Sequence, residues 1–311
     1  MVVRDRVGDA HGLEVLMLKR NVRSEFAGGV YVFPGGSVDP DDGDERAAAM
    51  CRGRSDEQAS ALLGLPAGGL SYWVAALREC FEEAGVLLAY RPAARTPVDS
   101  EDRPAELLSF AVPEDEERFA AHRSALNAGR SRFLDVCSEE GLELAVDAVQ
   151  YFAHWITPRG APRRFDTRFF VAAAPPRQTA LHDASETVEH LWTGPAEALA
   201  LHRAGKIELV LPTIKNLQAI GRFSSTAELL AAVAASVDRV PTVEPRVVVE
   251  GNGVRILLPG DPDYDDSAPL EPAPTLGDPA AANAAMRAIG RAANPGTADG
   301  PDDPPALRIR S

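Results

Sequence analysis

One arginine and three glutamates are packed into a single short stretch, Arg78-Glu79-Cys80-Phe81-Glu82-Glu83-Ala84-Gly85-Val86. With Arg78 at the origin of a helical wheel turning about 100° per residue, Glu82 falls near 40°, Glu79 near 100° and Glu83 near 140°. The apolar residues of the same helix occupy roughly 200–300°. Three carboxylates therefore share the face opposite the core, as i, i+3 and i+4 neighbours. Such a cluster repels itself, and a hard divalent cation with oxygen ligands relieves the repulsion. Mg²⁺ or Mn²⁺ is the expected cofactor. The plain alternative is a solvated acidic helix face. The turn Phe33-Pro34-Gly35-Gly36 shifts the balance, because paired glycines let the backbone approach a ligand and the Gly36 carbonyl can add an oxygen.

The elements that must hold these groups are legible in outline. Trp73, Leu77, Cys80, Phe81 and Ala84 recur at helical spacing, so residues 71–84 form an amphipathic helix. Gly85 ends it in a left-handed conformation. Residues 2–3, 15–18, 30–33, 86–90, 150–156, 164–173 and 190–193 read as strands. Helices are expected at 45–51, 56–63, 114–127, 131–140, 195–202, 212–220 and 227–237. Residues 241–260 contain a hairpin turning at Gly251-Asn252-Gly253. Residues 261–311 are rich in Pro, Asp, Ala and Gly and are expected to be a disordered tail.

The acidic segment resembles the signature of the Nudix hydrolase family: Gly, five residues, Glu, seven residues, then Arg-Glu-apolar-x-Glu-Glu-x-Gly-apolar. Its second half matches from Arg78 to Val86, and its first half matches at Gly36. Asp42 stands where the signature has its first Glu, and 35 residues separate Asp42 from Arg78 where the signature allows seven. The resemblance implies an α/β fold, a Nudix-type α/β/α sandwich with a mixed sheet and helical insertions. Residues 1–240 would be the hydrolase domain, with insertions at 39–70 and 105–145. It also implies that Glu79, Glu82 and Glu83, with the Gly36 carbonyl, bind metal, and that Arg78 orients a glutamate. Asp42, Asp44 and Glu45 are the alternatives for the missing first Glu. A general base would be a box glutamate such as Glu82 or Glu83, or a later one, Glu186 or Glu189.

A box interrupted at this place is similar to that of peroxisomal CoA diphosphatases. Trp155-Ile156-Thr157-Pro158, Arg164-Phe165-Asp166-Thr167-Arg168-Phe169-Phe170 and Glu186-Thr187-Val188-Glu189 strengthen the likeness. This branch implies cleavage of CoA or acyl-CoA to a 4′-phosphopantetheine product and adenosine 3′,5′-bisphosphate. The alternatives are another nucleoside diphosphate-linked substrate, or a sensor module without turnover. Lys19, Arg20 and Gly29 keep the spacing of a CoA-associated motif, whereas Asn21 and Glu25 depart from it, with Arg23 a substitute for the missing basic residue.

Arg159, Arg164 and Arg168 suit bidentate phosphate recognition, with a solvated basic turn as the alternative. Lys19 and Arg20 point to opposite faces of a strand, so one of them at most reaches substrate, and Arg20 is the candidate. Trp155 is either a stacking platform for adenine or a core residue.

Composition narrows the partners. A net charge of -14 disfavours bulk nucleic acid, leaving a small phosphorylated molecule as substrate. No apolar run reaches membrane-spanning length, so no membrane partner is expected. Three scattered cysteines, no signal peptide and a C-terminal Arg308-Ile309-Arg310-Ser311 unlike a peroxisomal address lead us to expect the cytoplasm. A homodimer is left open.

Overall fold

A computed structural model describes residues 1–6, 12–22, 28–91, 106–159, 161, 163–250 and 253–265. The expected turn at 251–252, the tail beyond 265, Arg23 and Glu25 lie outside the described residues. The chain opens with strands β1 (Val2–Asp5), β2 (Leu13–Arg20) and β3 (Tyr31–Val32). A 3-10 turn at Pro40–Gly43 leads to helices α1 (Glu45–Met50), α2 (Asp56–Leu63) and α3 (Leu70–Ala84). Strand β4 (Ala89–Tyr90), helices α4 (Pro113–Asn127) and α5 (Phe133–Glu139) and strand β5 (Glu143–Leu144) follow. Then come β6 (Gln150–Ile156), β7 (Asp166–Ala173) and β8 (Thr187–Thr193). Helices α6 (Pro195–Arg203), α7 (Leu211–Ile220) and α8 (Thr226–Ala234) precede β9 (Thr242–Val243), β10 (Arg246–Glu250) and β11 (Gly253–Leu257).

The main sheet runs β3-β2-β1-β7-β6-β9. It is mixed: β1 pairs parallel with β7, β6 parallel with β9, and the remaining pairs are antiparallel. Strand β8 pairs with β2 from Val15 to Arg20. Because a strand has two edges, β1 and β3 share the other edge of β2, one after the other.

Side-chain alternation splits the sheet between two helical layers. In β2, Leu16 and Leu18 pack with Cys80 and Ala84 of α3, while Val15 and Met17 join the core under α6, α7 and α8. In β7, Phe170 and Ala172 face the α3 layer and Val171 the other. This is the expected α/β/α sandwich. Ile256 of hairpin β10–β11 and Leu258 just after it pack into the α6–α8 layer.

The periodicity of α3 is realised: Trp73, Leu77, Phe81 and Ala84 are at most 1% exposed. Gly85, at φ 68°, ends the helix. Its N–H reaches Phe81 O and the Val86 N–H reaches Cys80 O, which satisfies carbonyls that would otherwise be orphaned. Helices α4 and α5 both buttress α3. Phe81 meets Phe119 of α4 and Phe133 of α5, each ring pair at 6.5 Å.

Two expectations need correction. Residues 86–90 are not one strand; only Ala89–Tyr90 pairs, with Glu143–Leu144. The Gln178 amide bonds both the N–H and the C=O of Leu87, doing for that buried segment what a neighbouring strand would do. Strand β8 begins at Thr187 rather than His190, so the expected base Glu186 lies just outside its first residue. Among the described residues no helix is long and apolar enough to cross a membrane.

Candidate active site at the carboxylate helix

The Phe33–Gly36 turn is anchored from below by Phe33, buried and edge-on to Phe169 at 6.3 Å. The turn is thereby pressed against α3. The Gly35 N–H donates to Glu83 Oε2 at 2.9 Å. A Cβ on Gly36 would stand 2.3 Å from Glu79 Oε1, with the whole carboxylate within 2.6 Å. Only glycine leaves Glu79 its place. Gly36→Ala is accordingly expected to displace Glu79 and lower kcat by about 100-fold while the melting temperature changes little, a split that steady-state kinetics and calorimetry together check.

Arg78 organises the acidic face. Its Nε and Nη2 donate to the two oxygens of Asp42, both at 2.9 Å. Nη1 donates to Glu79 at 2.9 Å and to Glu82 at 3.1 Å, and Nη2 also to Ser37 O at 2.8 Å. Burial opposes the Arg78 charge, but Asp42, Glu79 and Glu82 outweigh it and raise its pKa. Of the three stand-ins for the missing first Glu, Asp42 is the one that closes the box. Asp44 instead caps α1 by accepting from the Arg46 N–H.

The remaining carboxylates are uncomfortable as anions. Burial pushes Glu79 up to about 7 against the pull of Arg78, with Glu82 and Glu186 adding repulsion. Burial pushes Glu83 up to about 8, with Glu79 and Glu186 adding to it and Arg20 opposing. Glu82 is raised for the same first reason. As placed, Glu79 and Glu82 lean on Arg78, and among the described residues no trio of acidic, His or Cys groups is closed into a cage. The donor set nonetheless fits a hard divalent cation: oxygen ligands only, destabilised by mutual repulsion, beside a backbone that Gly36 holds close. Arg78 takes one oxygen from each of Glu79 and Glu82, so Glu79 Oε2 and Glu82 Oε1 would be left for a cation, and Arg78 keeps Asp42 as its partner.

The expected outer residues separate into two groups. Arg20 reaches the site, since its charge acts on Glu83 and its buried Nε has no partner among the described residues. A register shift between Lys19 and Arg20 accompanies this, as bulges beside sites do when they re-aim a side chain. Lys19 turns away to Glu189 at 3.2 Å. A hydrogen bond from Tyr31, with that pairing, holds Glu189 below the usual carboxylate range, which weakens it as a base. Glu186 is exposed and near enough for its charge to act on Glu79 and Glu83.

The other group is corrected. Trp155 is 3% exposed in the core on the α6–α8 side of the sheet, opposite α3, so no base can stack on it. Arg159 and Arg164 converge on Glu244, at 3.7 and 2.6 Å, rather than on the box. Arg168 is buried over the Tyr72 ring and paired with Asp166 at 2.8 Å.

The loop carrying Glu186 is tied down at several points. Asn21 donates from its backbone to Glu186 O and from its side chain to Ser185 O. Asp183 accepts from the Thr187 hydroxyl and from the N–H groups of Glu186 and Thr187. Against the effect of burial, these and the Ser185 hydroxyl hold Asp183 at about 2. A depressed carboxylate stabilises the fold above its unfolded value of 3.8, and that contribution disappears as pH falls through about 2. Asp183→Asn should therefore flatten the acid limb of the stability curve by about 1 kcal/mol after solvent screening. It should also lower kcat about tenfold by freeing the Glu186 loop. Melting curves between pH 2 and 7 alongside rates test both.

Two contacts were not foreseen. Arg123 Nε and Asn127 Nδ2, both from α4, donate to Glu82 O at 2.9 and 3.2 Å. They satisfy a carbonyl in the last turn of α3 and tie α4 to the acidic face. Helical spacing alone marks Arg123 and Asn127 as one face of α4; nothing local names their partner.

Comparison with known proteins gives the same picture. The profile of the NUDT19 Nudix domain matches residues 44–220. The acyl-coenzyme A diphosphatase NUDT19 of Homo sapiens is 27% identical over 289 residues, spanning 84% of this chain and 75% of that protein. The Xenopus laevis protein of the same name is 25% identical over 283 residues, 83% and 73% of the two chains. A NUDIX hydrolase from Alicyclobacillus acidocaldarius superposes with a TM-score of 0.52 at 26% identity, covering 77% of this chain and 93% of that one. With more than half its length inside that profile and its acidic helix, glycine turn and Arg78 clasp assembled into one site, the chain belongs to the NUDT19 Nudix domain family.

Proposed function

We propose that the protein hydrolyses the diphosphate of CoA or acyl-CoA, giving a 4′-phosphopantetheine product and adenosine 3′,5′-bisphosphate. The observation that carries this reading is the similarity to acyl-coenzyme A diphosphatases across more than four-fifths of the chain. Glu79, Glu82, Glu83 and the Gly36 carbonyl are the ligands for Mg²⁺ or Mn²⁺. The bound cation supplies charge neutralisation at the diphosphate and lowers the pKa of water.

The chain's own residues do the rest. Arg78 presents Glu79 and Glu82, and Gly35 fixes Glu83. Arg20, half-buried and with its Nε unpartnered, offers its guanidinium to a phosphate oxygen. Glu186, on its tethered loop, accepts the proton of the attacking water. The water oxygen bonds to one phosphorus as the bridging P–O bond to that phosphorus breaks, and the other phosphate leaves with the bridging oxygen as an anion. Positioning and electrostatic stabilisation account for most of the acceleration.

The test is mass spectrometry of products from CoA, acyl-CoA, ADP-ribose, NADH and nucleoside triphosphates, with Mg²⁺, with Mn²⁺ and with a chelator. Cleavage of CoA or acyl-CoA ahead of the others, abolished by chelation, is expected. Preference for ADP-ribose or NADH would replace CoA by another nucleoside diphosphate-linked substrate. No turnover of any compound would leave a sensor module.

A further inference from the structure

We infer that Arg123 of α4 is a positioning residue that sets the Glu186 loop against the last turn of α3. This rests on the proposed role of Glu186 as base and deepens it.

The last turn of α3 carries Glu82 and Glu83, and its carbonyls are met from two sides. Glu82 O accepts from Arg123 Nε and Asn127 Nδ2, both on α4. Ala84 O accepts the Leu181 N–H at 2.9 Å, where the loop to Glu186 begins. Between them, Glu83 O lies 3.5 Å from the hydroxyl of Thr187, the residue after Glu186. The helix end is thus the place where α4 and the loop meet. The Arg123 guanidinium sits there: a Cβ on Gly85 would stand 3.1 Å from its Nη1.

Capping the helix does not by itself call for this residue. Asn127 reaches the same carbonyl with a neutral amide. A guanidinium is the costlier donor, because burial opposes its charge and its Nη2 is buried without a partner among the described residues. What the charge adds is reach. Against the effect of burial, it is favoured by Asp183, ahead of Cys80 and Glu83. Asp183 is the residue that gathers the N–H groups of Glu186 and Thr187. Arg123 therefore holds the helix end by a hydrogen bond and the anchor of the loop by its charge, from one rigid fork. A fork that fixes both fixes the separation between Glu186 and the proposed ligands Glu82 and Glu83.

Arg123→Gln keeps a donor for Glu82 O and removes the charge. With the panel compound that the wild-type protein cleaves fastest, at saturating Mg²⁺, its kcat should fall about tenfold, with KM within about a factor of two of wild type. Adding Arg123→Gln to Glu186→Gln should slow that variant by less than about twofold more, since the position of an absent base no longer matters. A charge that serves only the α3 dipole lowers the melting temperature and leaves kcat alone. That result, or losses that multiply in the double variant, overturns the inference. Arg123→Lys covers the case in which the glutamine variant fails to fold. It keeps the charge, so its kcat should stay within about threefold of wild type; a loss of about tenfold at an unchanged melting temperature overturns the inference. Glu186→Gln keeps the two proposals apart. A wild-type rate in that variant removes Glu186 as base and the role of Arg123 with it, whereas a slow Glu186→Gln beside an unaffected Arg123→Gln removes Arg123 alone.

Discussion

Glu83→Gln is expected to lower kcat by on the order of 10³-fold, about 4 kcal/mol of transition-state stabilisation, while leaving the fold intact. Glu83 is buried at the junction of α3 and the glycine turn, where its Oε2 accepts the Gly35 N–H at 2.9 Å. Glutamine keeps the shape and keeps an acceptor for that amide. What it loses is the negative charge that a cation needs. Because burial already opposes that charge, its removal does not weaken the cation-free fold. The informative result is therefore a split: a large fall in kcat and in cation affinity, by kinetics and isothermal titration, with an unchanged or higher melting temperature without cation. A rate within a factor of a few of wild type would remove Glu83 from the metal site.

The second large effect concerns Arg78→Met, which is expected to cost both stability and activity. Asp42 is 3% exposed and bound through both oxygens to the Arg78 guanidinium. Removing the cation strands a buried carboxylate, at a cost of about 3–5 kcal/mol. Roughly 10 °C in melting temperature follows for a chain of this size. Adding Asp42→Asn to Arg78→Met should recover much of that stability, because no unpaired anion is then left. Activity should not return, since Glu79 and Glu82 have still lost the Nη1 donor that presents them. Arg78→Lys should fare poorly in both respects, because a point charge cannot bridge Asp42, Ser37 O and two glutamates at once. A double-mutant cycle on melting temperature and kcat separates the two roles. Recovery of activity in the double variant would show Arg78 to be a structural partner of Asp42 and nothing more.

The carboxylate helix was readable because one periodicity carries both its buried stripe and its acidic face. The sandwich was readable through the motif, and the strands mostly through alternation. Other features depend on contacts that local sequence does not encode. The choice of Asp42 over Asp44 and Glu45 is made by a 3-10 turn that folds back onto Arg78. Leu87 and Leu88 look like strand residues, yet a distant glutamine satisfies the Leu87 backbone. Trp155 carries the chemistry of a stacking platform, but strand alternation sends it to the layer opposite α3. Arg159 and Arg164 have the right chemistry for phosphate, but Glu244, some 80 residues downstream, claims them. Alternation separates Arg20 from Lys19, and the structure pairs Lys19 with Glu189 while the Arg20 charge acts on Glu83.

The clasp between Asp42 and Arg78 has a further consequence for how the chain folds. An uninterrupted signature would place the two partners eight residues apart, whereas here they are 36 apart. Closing the longer loop costs roughly 1.3 kcal/mol more in chain entropy, at about 0.6 kcal/mol per doubling of length. A contact that would have formed within one local turn now waits for α1 and α2 to find their seats. The acidic face thus becomes one of the later parts of the molecule to assemble, and the insertion's packing sets how often it opens again.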